Sequence, residues 1–208
     1  MLTAEKEELP TQQGVKQLKR TDMKKLAKPT QGSLLISEPF LLDSYFKRAV
    51  VLLSEHDDKG TLGFILNKPT DVRLNDAVED FPDFDAPLYF GGPVETDTLF
   101  YIHTLGEKLK GAKQIVNGIW WGGDYDQLKF LIDTHQVRPD QIRFYAGYSG
   151  WEPKQLEGEL KEKAWLVSNA NKTFTFFDNP KVLWSQVLRS MGNEYAILAN
   201  FPEDPNLN

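Results

Sequence analysis

The sequence predicts a mixed α+β protein, built as one domain over residues 32–208 and preceded by a charged extension over residues 1–31. Three observations carry this. Segments rich in β-branched and aromatic residues dominate the first half and read as strands. Helical patterns are interspersed mainly in the second half, so there is no regular βαβ alternation. A chain of 208 residues, 40% hydrophobic and 12% aromatic, is long and apolar enough for one substantial core.

Each element follows in order. Apolar positions are sparse in the first 30 residues, where Val15, Leu18 and Met23 have the loose spacing of a short helix. "SLLISEP" and "RAVVLLSEH" read as strands. Asp57, Asp58 and Gly60 supply the turn that makes a hairpin with "TLGFILNKP". The unbroken apolar runs Val50–Leu53 and Phe64–Leu66 predict burial on both faces. "LNDAVEDF" is a short helix, and "APLYFGGPV" and "TLFYIHTL" are strands joined at Gly91, Gly92 and Pro93. "AKQIVNGIWWGG" reads as one strand or an irregular stretch closed by Gly122 and Gly123. Asp124 caps a helix whose apolar face is Leu128, Leu131 and Ile132. "QIRFYAGYSG" is a strand running into a turn shaped by Gly147 and Gly150. "PKQLEGELKEK" is a helix with Pro153 near its start, and "AWLVSNA" is a strand. Asn179 and Pro180 open a helix with Leu183, Val187 and Leu188 inward and Gly192 at its end. "EYAILANF" is apolar enough to close the core.

The composition sets limits on function. The absence of cysteine excludes disulfides, thiolate metal sites and a cysteine nucleophile, and fits a reducing compartment. The charged N-terminus lacks the apolar stretch of a secretory signal, and no run reaches the length of a membrane span. A soluble, cytoplasmic protein without membrane contact is expected. Residues 1–30 carry seven basic and four acidic side chains, a balance of +3, so the rest of the chain carries −9 of the net −6. An acidic body repels phosphate backbones. Direct nucleic-acid binding is therefore expected only through the basic N-terminal arm.

Several motifs invite chemistry. In "AGYSGW", Ser149 lies between glycines at the end of a strand. A nucleophile elbow needs glycines two before and two after the serine. Gly147 fits, but Trp151 occupies the second position, and all three histidines precede the serine. A turn with Tyr148 and Trp151 packed or rimming a pocket fits better. "SEHDDKG" offers Glu55, His56, Asp57 and Asp58 as ligand atoms, but only alternate residues of a strand share a face. His103 is the one further candidate, and no metal is expected. Gly91 and Gly92 could present backbone N–H groups to an anion, although a tight turn explains them as well. Asn67 and Lys68 end a strand before Pro69; the asparagine suits a turn and the lysine a solvated position. Of Trp120 and Trp121, one is expected to point inward and one outward, toward the core or a subunit interface, which permits a homodimer.

The "EHD-x-x-G-x-x-G-x-x-LN-x-P" block, the "GGPV" turn and the "GY-x-GW-x-x-x-QLE" block occur in one order from about Gly32 onward. Together they resemble the YqgE/AlgH family. The resemblance implies a compact mixed domain whose bifurcated sheet is partly barrel-like and surrounded by helices. It implies no established catalytic activity. Some members carry a transcriptional-regulator label through a link to exopolysaccharide control; this chain has an acidic body and no helix-turn-helix signature.

The preferred reading is a non-catalytic binding or regulatory module that takes a protein partner or a small ligand and needs no cofactor. Its candidate site comprises Glu55, His56, Asp57, Asn67, Lys68, Gly91, Gly92, His103, Tyr148, Trp151 and Gln155, on loops expected to converge on one surface. The alternative is an enzyme using His56 or His103 as acid/base in a pocket formed by these loops, with Glu55 or Glu157 nearby.

Overall fold

The structure, a computed structural model, describes residues 28–202. The helix expected near Val15–Met23 and the basic arm lie outside the described residues. Ten strands follow: β1 Ser33–Ser37, β2 Val50–Asp57, β3 Gly60–Ile65, β4 Pro69–Arg73, β5 Pro87–Phe90, β6 Val94–His103, β7 Lys113–Val116, β8 Ile119–Trp121, β9 Ile142–Trp151 and β10 Trp165–Asn169. Six α-helices are interspersed among the described residues: α1 Leu74–Ala77, α2 Tyr125–Asp133, α3 Gln155–Lys161, α4 Lys172–Thr175, α5 Pro180–Ser190 and α6 Asn193–Leu198. No helix among the described residues is long and apolar enough to cross a membrane.

The strands form one sheet in the order β10-β1-β2-β3-β9-β6-β8-β7, with β5 and β4 branching from β9. The bifurcation has a simple origin. One edge of β9 pairs with β6. The other edge is shared: Phe144–Ala146 pair with β5 in parallel, and Ser149–Trp151 pair with β3 antiparallel. The sheet then curls into a half-barrel, which brings β7 back toward the first strands. Gln31 Nε2 donates to the Gln114 carbonyl at 2.9 Å, and Lys113 Nζ meets Glu55 Oε1 at 2.9 Å.

Period-two alternation sorts the side chains into cores. Leu34, Ile36, Leu52 and Phe64 face one side with Leu183, Val187 and Leu188 of α5. Leu35, Val51, Leu53 and Ile65 face the other with Trp151, Trp165 and Leu156 of α3. A third cluster packs Leu128 and Ile132 of α2 against Tyr101, Ile142 and Phe144. Complete burial of each α5 leucine contributes about 1.5–3 kcal/mol. The runs Val50–Leu53 and Phe64–Leu66 are fully buried, as their unbroken apolar character predicts.

Several local expectations need revision. "AKQIVNGIWW" is a hairpin, not one strand: Val116 pairs with Ile119 across Asn117 and Gly118, and Gly118 takes φ 77°. Asn-Gly is a preferred pair for so tight a turn. Gly147 and Gly150 lie inside β9 instead of ending it; Gly147 takes φ 69°, while Gly150 pairs in register with Leu62. Pro153 precedes its helix, which begins at Gln155 after Lys154 takes a left-handed φ of 69°. β4 and α4 have no expectation behind them; both are short, and β4 is mostly exposed. Asp124 caps α2 as expected, accepting from the Gln127 N–H at 2.9 Å.

Candidate functional site

A β-bulge re-aims the end of β2. Leu53 pairs with Gly63, but Glu55 pairs with Leu62, so Ser54 is one extra residue on β2. Its buried hydroxyl donates to the Leu62 carbonyl at 3.2 Å. Unbroken alternation would put Glu55 on the face of Leu53. The bulge turns it, and Asp57 with it, to the opposite face. His56, paired with Thr61, is left facing away from both acids; its Nδ1 lies 2.7 Å from Thr61 Oγ1.

The turned acids border a cleft of about 520 Å³. One wall is the β2–β3 hairpin, with Glu55, Asp57, Lys59 and Thr61. The other is the corner from β9 into α3, with Tyr148, Trp151, Glu152 and Gln155. Leu62 and Val94 are among the apolar residues that line it. The hairpin tip sits tight on this corner: a Cβ on Gly60 would lie 2.6 Å from the Trp151 carbonyl oxygen, so only glycine fits. Three carboxylates against one lysine line the cleft and give it a negative potential. The Glu55 carboxylate is also met by Lys113, whose Nζ lies 5.1 Å from the centre of the Trp121 ring.

Thus Glu55, Asp57, Tyr148, Trp151 and Gln155 come together, and the remaining candidates have other places. His103 is fully buried. The Leu105 N–H donates to its Nδ1 at 3.2 Å, which puts the ring proton on Nε2, where it is donated to the Gly122 carbonyl at 3.0 Å. Burial pushes its pKa below the usual value, outweighing the Gly122 hydrogen bond. Asn67 is a staple: Oδ1 accepts from the Val50 N–H at 2.9 Å, and Nδ2 donates to the Arg48 carbonyl at 2.8 Å. Lys68 Nζ donates to the Ser44 carbonyl at 3.0 Å.

Gly91 and Gly92 pack directly on β9. The Gly91 N–H donates to the Ala146 carbonyl at 2.9 Å. A Cβ on Gly91 would lie 2.1 Å from the Gly147 oxygen, and one on Gly92 2.3 Å from Tyr148 backbone atoms. Ser149 is buried and donates to the Gly91 carbonyl at 3.0 Å. Among the described residues, no group of three or more acidic or histidine side chains comes together to hold a metal ion.

Sequence reasoning passed over Lys59, Glu152 and Glu159. Lys59 and Glu152 are ordinary charged residues beside turns. Glu159 lies behind the cleft wall, and its only sequence cue is the i, i+4 spacing from Gln155.

The architecture and the cleft define a class first: a mixed α+β domain with a curled, bifurcated half-barrel sheet, flanked by helices and carrying a polar cleft. The chain belongs to the AlgH-like family, whose model matches residues 34–196. It is 46% identical over 177 residues to a UPF0301 protein of Chlorobium limicola, covering 85% of this chain and 95% of that one. It is 45% identical over 180 residues to a UPF0301 protein of Cytophaga hutchinsonii, covering 86% and 99%. The solution structure of the AlgH protein from Pseudomonas aeruginosa superposes with a TM-score of 0.67 at 28% identity, covering 86% of this chain and 98% of that one. A crystal structure of a Corynebacterium diphtheriae protein shares the fold, with a TM-score of 0.71 at 20% identity, over 86% and 95% of the two chains.

Proposed function

We propose that this protein is a non-catalytic binding module whose cleft takes a small organic cation bearing hydrogen-bond donors. One observation carries the reading: Glu55, Asp57 and Glu152 line one concave site beside Tyr148, against Lys59 and the Lys113 ammonium that meets Glu55. An ammonium or guanidinium group suits carboxylates beside the ring of a tyrosine. Any link to transcriptional regulation would then run from the occupied cleft to a protein partner, because the acidic body repels DNA.

The test is thermal unfolding in low salt with spermidine, arginine and agmatine, against duplex DNA and acidic metabolites. A ligand at a hundredfold above its Kd stabilises by about 2.7 kcal/mol. That moves the midpoint of a domain this size by roughly 5–11 °C. Cations should raise the midpoint, and the Glu55→Gln/Asp57→Asn variant should lose the effect. A response to acidic metabolites alone, or to none of the cations, overturns the reading.

A further inference from the structure

We infer that Glu159, which does not line the cleft, is its positioning residue; the inference rests on the cleft reading above. Glu159 lies in α3 behind the wall formed by Trp151, Glu152 and Gln155. Its Oε2 accepts from two indoles, Trp151 Nε1 at 2.9 Å and Trp165 Nε1 at 2.7 Å. Its Oε1 accepts from Gln155 Nε2 at 2.9 Å. All three donors are neutral, so the carboxylate charge is held by hydrogen bonds from groups that sit in, or directly behind, the cleft wall. Such charge-assisted bonds are about twice as strong as neutral ones and fix direction as well as distance.

The arrangement orients Gln155 from both ends. Its Oε1 accepts from the Glu152 N–H at 2.9 Å while its Nε2 is committed to Glu159. A flipped carboxamide would face donor to donor at Glu152 and acceptor to acceptor at Glu159. Trp151 is fixed in the same way. Its ring lies edge-on to Trp165, with centroids 6.0 Å apart, and Phe46 packs on both rings. Glu159 therefore locks the β9–α3 wall to β10.

A residue that only filled space would not discriminate carboxylate from carboxamide, but this one must. In Glu159→Gln, the new oxygen can serve the two indoles only if the new NH2 faces the NH2 of Gln155. Turning Gln155 to relieve that contact costs it the Glu152 N–H. While the new oxygen stays with the two indoles, Gln155 is released at one end and the wall keeps its packing; the opposite orientation would face the new NH2 to both indole N–H groups and leave them without an acceptor.

The experiment uses the full chain and spermidine as probe. Titration calorimetry compares wild type, Glu159→Gln, Gln155→Ala and the double variant. Glu159→Gln should weaken binding about tenfold, and less than about twofold when Gln155 is already alanine, because the effect runs through Gln155. Equal losses in both backgrounds, or a single variant with wild-type affinity, overturn the inference. An amide correlation spectrum of the unliganded proteins separates this from the ligand question. Glu159→Gln should shift the Gln155 side-chain signals and the Trp151 and Trp165 indole signals, leaving those of Trp120 and Trp184 in place. Unmoved Gln155 signals overturn the inference whatever the ligand. Wild type that binds no spermidine while the Gln155 signals move overturns the cation reading and supports the hold of Glu159 on Gln155.

Discussion

Ser149 donates its hydroxyl to the carbonyl oxygen of Gly91, 3.0 Å away, and both residues are buried. The serine set between glycines is thus a tie between β9 and the Gly-Gly-Pro turn. The same carbonyl also accepts from the Ile65 N–H at 3.0 Å, so one oxygen joins the ends of three strands. Ser149→Ala removes one of these bonds and leaves the acceptor satisfied. The expected loss is about 0.5–1.5 kcal/mol in urea unfolding, with spermidine binding unchanged.

Gly91→Ala should be far worse. The added methyl would lie 2.1 Å from the Gly147 oxygen, and backbone lies on both sides of that contact. A loss of at least about 3 kcal/mol, or failure to fold, is expected from expression and urea unfolding. A variant of near wild-type stability would show that the turn is looser than this crossing requires.

Gly158→Ala should act in the opposite sense. Gly158 sits within α3, and a Cβ there meets nothing within 4 Å. Alanine costs less backbone entropy in a helix, so a gain of about 0.5–1 kcal/mol is expected, read as a higher unfolding midpoint.

His103 should make stability depend on pH. Desolvation lowers its pKa from 6.5, so the unfolded chain takes up this proton first as pH falls. The neutral-state stability is complete above about 6.5 and is lost as pH falls through the folded-state value. Unfolding free energies between about pH 7.5 and 5.5 should drop more steeply in wild type than in His103→Gln. Equal slopes would remove His103 from the account.

Asn67→Ala should cost about 1–3 kcal/mol, because two backbone groups, the Val50 N–H and the Arg48 carbonyl, lose a partner. Arg48 has a left-handed φ of 50° beside this staple. Asn67→Asp keeps the acceptor for Val50 and loses the donor to Arg48, so its midpoint should fall between those of alanine and wild type.

Much of this fold is local and was legible. The β2–β3 hairpin follows from two buried runs around an Asp- and Gly-containing turn, and α2 and α5 from 3.6-residue periodicity behind Asp124 and Pro180. β4 and α4 were not legible, since five and four residues without an apolar pattern carry no period to read. Glu55, Asp57, Tyr148, Trp151 and Gln155 stood out as polar or aromatic residues within glycine-rich motifs. Glu159 did not, because its indole partners come from β9 and β10 and only folding brings them to one carboxylate.

The sequence by itself determined most of the strands, the helices α2 and α5, and an excess of acidic side chains after residue 30. The tertiary structure alone decided which face each residue presents at the end of β2. Alternation assigns faces only while pairing stays in register, and register belongs to two strands together. One unpaired residue, Ser54, opposite β3 turns Glu55 and Asp57 into the cleft and His56 away from them. Nothing in the run Leu53–Asp57 records that slip, because its physical cause is the partner strand.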